Sequence, residues 1–260
     1  MTHLFIPMSQ EPSSFSHNPQ GADPLRSIYR SSQVKNPAHF EYLYRRGTAL
    51  LSIDMQYLDA ARGEGIFRDV EAAGIPIEWQ DYYFNRLEQT VLPNVRRLQE
   101  GFRRHELEVI HTRIQSLTRD GRDRSQGHKR LKIHAPPGSR EAEFLEEIAP
   151  VGDEIIVNKT TSGVFSSTNI HYVLTNIGVR ALYVVGVYTN ECVETTVRDA
   201  CDLGYLVTIV QDACATVTEE LHEASLKTLR NRYARIVNTD EALDDLERFV
   251  AETPEWLPAY

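Results

Sequence analysis

Cysteine is scarce in this chain: three in 260 residues, Cys192, Cys201 and Cys214, with no Cys-x-x-Cys pair. An odd number without paired spacing supports neither a disulfide framework nor a cysteine-rich zinc site. A reducing cytoplasm is the expected setting. No apolar run approaches the ~20 residues that cross a bilayer, so no membrane partner is expected. The opening residues, MTHLFIPMSQEPSSFSHNPQ, lack a basic start followed by an apolar core and are not expected to act as a secretory leader. Positive charge is also short, with a formal net charge of −9. That argues against a general nucleic-acid surface, although it leaves room for a local basic pocket. No glycine-rich phosphate loop follows the first strand, which removes a nucleotide-binding doubly wound domain from consideration.

What is present is an alternation of strands and helices. Residues 1–45 are polar and proline-punctuated and read as an extended arm, with a short helical turn near its end; residues 46–260 read as one domain. Short apolar runs predict strands at Thr48–Asp54, Leu107–Thr112, Asp153–Lys159, Ala181–Tyr188, Tyr205–Asp212 and Ala234–Val237. Helical spacing predicts a long helix over Asp81–Arg104, bent near Pro93, and shorter ones over Ser139–Ile148, Asn169–Asn176, Cys192–Leu203, Glu219–Tyr233 and Asp240–Val250. Strands alternating with helices imply a mostly parallel central sheet covered on both faces, a three-layer α/β/α architecture. Residues 57–80 are long for a strand–helix connection and read either as a lid over the site or as a surface loop. Residues 113–135 carry Arg113, Arg119, Arg122, Arg124, Lys129, Arg130 and Lys132. They read as a solvated surface, or as a source of one cation for a substrate carboxylate or carbonyl.

The most informative stretch is Ala181–Thr196, ALYVVGVYTNECVETT. It places Cys192 where a buried strand gives way to a helix. Sites in open α/β sheets form beyond the carboxyl ends of strands, and a helix N-terminus favours negative charge. A thiol there is expected to ionise more easily than a free one; the bland alternative is a small buried apolar residue. Two more strand ends carry ionisable side chains, Asp54 and Lys159. Parallel strands present such ends on one edge, so the three can converge. Their types suit one chemistry: a thiolate that attacks a carbonyl carbon, a carboxylate that moves the proton, and an ammonium that favours both anions. Taken singly, an acidic strand end is often a cap and a lysine there a surface charge.

Several segments together resemble the isochorismatase-like cysteine hydrolases. They are Leu51-Ser-Ile-Asp-Met-Gln56, Val157-Asn-Lys159 with Ser162-Gly-Val-Phe165, Gly186-Val-Tyr-Thr-Asn-Glu-Cys-Val-Glu-Thr-Thr196, Arg198-Asp-Ala200, Gly204-Tyr205 and Gln211-Asp-Ala213. The resemblance implies a Rossmann-like fold, a catalytic triad of Asp54, Lys159 and Cys192, and a cis peptide between Val187 and Tyr188. It also implies an oxyanion hole made by the backbone N–H groups of Tyr188 and Cys192. The wording around Cys192 is most similar to ureidoacrylate- and biuret-type hydrolases. This implies a small amide, carbamoyl or ureido substrate and a homo-oligomer, dimer or tetramer. Nicotinamidases in this superfamily add a metal held by an aspartate and two histidines. No histidine lies between Asp54 and His105 here, so no metal or other cofactor is expected, and His111 reads as structural. Gln56, Tyr57, Asp59, Phe165 and Asn190 are candidate substrate contacts. Phe165 and Tyr188 read equally as core, and Asn190 as a helix cap. Arg198 and Asp199 read as an ion pair on the helix.

Overall fold

The computed structural model describes residues 36–250, apart from residues 37, 45, 70, 72 and 73. The expected arm therefore lies mostly outside the described residues; its last part is the helix Ala38–Tyr44 (α1).

The first strand, Thr48–Ile53 (β1), is apolar without alternation because both of its faces are covered. Leu50 packs into one core cluster, with Phe84, Leu87, Leu98 and Phe102. Ala49, Leu51 and Ile53 pack into the other, with Val193, Val197 and Leu226. Successive side chains point to opposite faces, so one strand feeds two helix layers. The remaining strands are Glu108–Ile114 (β2), Ile155–Lys159 (β3), Ala181–Val187 (β4), Leu206–Ala215 (β5) and Arg235–Val237 (β6). All pair in parallel, in the order β3-β2-β1-β4-β5-β6. The order reverses between β1 and β4, and the connections leaving those two strands diverge and open a crevice.

One helix layer begins earlier than expected. Ile77–Arg86 (α2) passes through a π turn, Leu87–Val91, into Leu92–Arg104 (α3). Pro93 has no N–H to give and its ring crowds the carbonyl one turn back; the wider turn just upstream accommodates both. Between β2 and β3 stands Gln126–Arg130 (α4), and after β3 come Val164–Ser167 (α5) and Ile170–Asn176 (α6). The other helices are Glu194–Asp202 (α7), Glu219–Leu229 (α8) and Thr239–Asp245 (α9). The expected helix over Ser139–Ile148 is instead two single turns, Arg140–Ala142 and Glu146–Ile148. Between them Phe144 bridges to Gln56 as an isolated strand pair. The helix expected to reach Tyr233 stops at Leu229, and α9 passes into a π turn at Leu246–Val250. Among the described residues no helix is long and apolar enough to cross a membrane.

Close approach at the crevice depends on Gly186. Its φ is +117°, and a Cβ there would sit 2.1 Å from the carbonyl oxygen of Ile53. Only glycine combines that backbone with that contact. Gly186→Ala is therefore expected to cost about 3 kcal/mol or more, read as a fall in the urea midpoint or as failure to fold.

Candidate active site

Asp54 is the first residue past β1 and has a left-handed backbone (φ 55°), which aspartate tolerates better than most residues. Its N–H donates to Thr112 O at the end of β2, 3.0 Å away. Lys159 closes β3, two strands from β1, roughly 10 Å across the sheet. Only a long side chain spans that gap. Cys192 lies in a π turn, Thr189–Val193, that follows β4 and leads into α7. The Val187–Tyr188 peptide is cis. The three side chains meet: Lys159 Nζ stands 2.8 Å from Asp54 Oδ2 and 3.4 Å from Cys192 Sγ, and donates to Thr161 O at 3.0 Å. Asp54 and Lys159 are fully buried and Cys192 is 4% exposed.

One ammonium thus faces two groups that can become anions. Burial works against the charge on Lys159, but the Asp54 carboxylate beside it raises it above the ordinary lysine value. Burial raises Asp54, with Lys159 pulling the other way. Burial also pushes the Cys192 thiol well above its ordinary value, despite Lys159. This corrects the expectation of an easily ionised thiol: enclosure outweighs the strand–helix junction. The resting site is a carboxylate–ammonium pair against a neutral thiol.

Cys192 opens onto a cavity of about 480 Å³. Its walls include Ile66 and Ile75 from the 57–80 insertion, Ile114 from β2, and Leu131 and Ile133 from the loop after α4. Asp59, His128, Tyr188, Asn190, Glu191 and Thr216 supply its polar surface.

The model of the isochorismatase domain matches residues 48–241. The chain belongs to the isochorismatase family. It is 40% identical to nicotinamidase 3 of Arabidopsis thaliana over 106 residues, 40% of this chain and 54% of that protein, about half its length. It is 26% identical to N-carbamoylsarcosine amidase of an Arthrobacter species over 177 residues, 65% of this chain and 67% of that one. In solved structures, an isochorismatase family protein from Desulfovibrio vulgaris superposes with a TM-score of 0.62 at 25% identity, covering 78% of this chain and 100% of that one.

Not every expected contact residue of this isochorismatase-family chain reaches the cavity. Asp59, Tyr188 and Asn190 line it; Gln56, Tyr57 and Phe165 do not. Gln56 is fully buried. Its amide donates to Ile114 O and Glu141 O and accepts from Ile114 N–H, extending the β2 ladder with a side chain. Tyr57 lies under the Arg140 guanidinium. Phe165 packs on Tyr205 and faces a separate surface hollow with Asp199 and Leu203. Asn190 caps no helix; its Oδ1 accepts the Thr216 hydroxyl. Arg198 pairs with Glu194, not Asp199, because residues four apart share a helix face and adjacent ones do not. His111 is buried against Glu154 at 2.9 Å. In the basic stretch, Arg113 is tied to Asn158 and Ala142 O, and Arg124 to Gly121 O and Ile133 O. Lys132 alone among its cations lines the cavity, from an exposed position. Among the described residues no group of three or more His, Cys, Asp or Glu is placed to hold a metal ion. His128 and Glu191 are cavity residues that the strand-end pattern gave no means to find.

The turn that carries Cys192 is pinned from behind. Thr189 Oγ1 lies 2.9 Å from His222 Nδ1, and Arg86 Nη2 lies 3.1 Å from His222 Nε2. Arginine can only donate, so Nε2 accepts and the protonated Nδ1 donates to Thr189. Burial, then the Arg86 charge, lowers His222 to about 4. The unfolded chain takes up this proton near pH 6.5 and the folded one only near 4, so stability falls as pH drops through that window. The expected loss at pH 4 is about 3 kcal/mol from His222 alone. Urea titrations from pH 7 to 4 should show it, and His222→Gln should remove that share of the slope.

Proposed function

We propose that this chain is a cysteine-dependent amidohydrolase. It cleaves a C–N bond in a small amide, carbamoyl or ureido substrate of the ureidoacrylate, biuret or triuret type and releases ammonia or an amine. The observation that carries this reading is the Lys159 ammonium held at once by Asp54 Oδ2 and Cys192 Sγ, at 2.8 and 3.4 Å, beside a cavity of about 480 Å³.

One cation balances one anion, so the chemistry proceeds by moving a single proton between two neighbours. Asp54 takes the thiol proton as Cys192 Sγ attacks the carbonyl carbon and the C–S bond forms. The carbonyl oxygen takes up negative charge against the backbone N–H groups of Tyr188 and Cys192. Donors of this kind are each worth roughly 100- to 1000-fold in rate. The C–N bond then breaks, and the proton on Asp54 goes to the departing nitrogen. Water next gives a proton to Asp54 and its oxygen attacks the thioester carbon. The C–S bond breaks, and Asp54 returns the proton to sulfur. Lys159 stays protonated throughout. The likeness to an N-carbamoylsarcosine amidase supports a carbamoyl substrate. A second reading, an amidase acting on nicotinamide, is favoured by the 40% identity to nicotinamidase 3.

Ammonia release from ureidoacrylate, biuret, triuret, N-carbamoyl amino acids and nicotinamide tests the two together. Cys192→Ala and Cys192→Ser are expected to lose at least about 1000-fold in kcat, and rapid quench with mass spectrometry should find the acyl group on Cys192 in the wild type. Near-normal turnover in either variant would sink the scheme. Lys159→Met should lose turnover and also about 3–5 kcal/mol of stability, because it strands the buried Asp54 charge.

A further inference from the structure

Several polar side chains in the cavity have no part in the proton transfers above, and two of them each bury an unpartnered atom. Asp59 and His128 line it together with Cys192, and are only 3% and 4% exposed. Asp59 Oδ2 and His128 Nδ1 are fully buried and have no hydrogen-bond partner among the described residues. Buried polar atoms are rarely left so, and each exception asks for an explanation. The two come from different elements. Asp59 belongs to the connection leaving β1, where its own carbonyl accepts the hydroxyls of Tyr83 and Tyr188. His128 belongs to α4, fixed where its backbone N–H meets Ser125 Oγ at 3.1 Å. Both side chains line the cavity, so a small rotation of either would present its polar atom to an occupant.

The charge around them restricts that occupant. The buried cation next to the thiol, Lys159, is already matched by Asp54 at 2.8 Å. Among the described wall residues the one lysine, Lys132, is exposed, where water and salt screen it. A carboxylate brought beside the thiol would find another acid, Asp59, and no buried cation to spare. An uncharged group with both N–H and C=O would find complementary partners. We propose that Asp59 and His128 are specificity residues that hold the non-reacting end of an uncharged, urea-like substrate and discriminate against analogues ending in a carboxylate, which narrows the proposed range to its biuret and triuret members and away from ureidoacrylate. Their protonation agrees. Burial and the nearby Asp54 hold the Asp59 carboxyl well above the usual range, and burial lowers His128 to about 4. Near pH 7 His128 is therefore neutral and can donate as well as accept, and Asp59 accepts in either protonation state.

The inference rests on the amidohydrolase reading, and its test separates the two. N-carbamoylglycinamide and N-carbamoylglycine differ only in a terminal carboxamide against a carboxylate. The wild type is expected to favour the carboxamide by at least about tenfold in kcat/KM, roughly one step of 1.4 kcal/mol. Asp59→Leu and His128→Phe should raise KM for it about 10- to 100-fold with a smaller change in kcat, and Asp59→Asn should recover most of the loss. Iodoacetamide alkylation of Cys192 at the wild-type rate would show that the thiol end of each variant is intact. Calorimetric binding of both compounds to Cys192→Ser gives a readout without turnover. Selective binding of the carboxamide with no hydrolysis by the wild type would remove the hydrolase reading and leave this one standing. Equal or better use of the carboxylate, or an unchanged KM in both variants, would overturn it.

Discussion

A single ammonium group holds this site together. Lys159 is buried, reaches across two strands, and neutralises Asp54 while touching the sulfur of Cys192. Taking three ionisable groups out of water is costly, and the cost is tolerable only if charges cancel. With one cation present, the state of lowest charge has one anion. The thiol therefore stays protonated until something demands its electrons, and the proton then has a neighbour to go to. A site of this kind does not hold a standing thiolate exposed to oxidants; it holds a balanced pair and a proton that can be exchanged.

That arrangement follows from the sheet order. Asp54 and Cys192 leave β1 and β4, the neighbouring strands at which the order reverses. Lys159 leaves an edge strand and reaches inward. Sub-ångström placement then depends on contacts outside the three residues. Gly186 lets the backbone of β4 come against Ile53; Gln56 ties the segment after Asp54 to the end of β2; and His222 with Arg86 holds Thr189. These contacts come from different elements of the fold, so the separation of sulfur, ammonium and carboxylate is an outcome of the whole packing and not of one loop.

This explains which parts were legible in the sequence. Unbroken apolar runs mark strands covered on both faces, and the alternation of those runs with helical spacing implied a mostly parallel sheet. The residues that end those runs were legible for the same reason, since Asp54, Lys159 and Cys192 interrupt patterns that burial otherwise dictates. Gln56 and Phe165 were misplaced because direction matters there. A glutamine two residues past a strand can face a pocket or complete a neighbouring ladder with equal local propensity. The ionisation of Cys192 was misjudged because a helix start is local, whereas enclosure by four separate segments is not. His128 was out of reach altogether: it lies on a five-residue helix in a basic stretch, and only the folded chain brings it to the cavity that Cys192 lines. Ser139–Ile148 has helical composition, yet the bridge between Phe144 and Gln56 competes for its backbone and leaves two isolated turns.

The composition of the cavity bears on how the proton moves. Its isoleucine and leucine walls lower the polarity around the sulfur, and interactions between charges strengthen as the local dielectric falls. The same enclosure that raises the thiol also raises Asp54. Because both shift upward, part of the effect of burial cancels when a proton passes from sulfur to carboxylate. One negative charge is present before and after that exchange, so burial opposes it less than it opposes ionisation of the thiol alone, so long as Lys159 stays charged between the two.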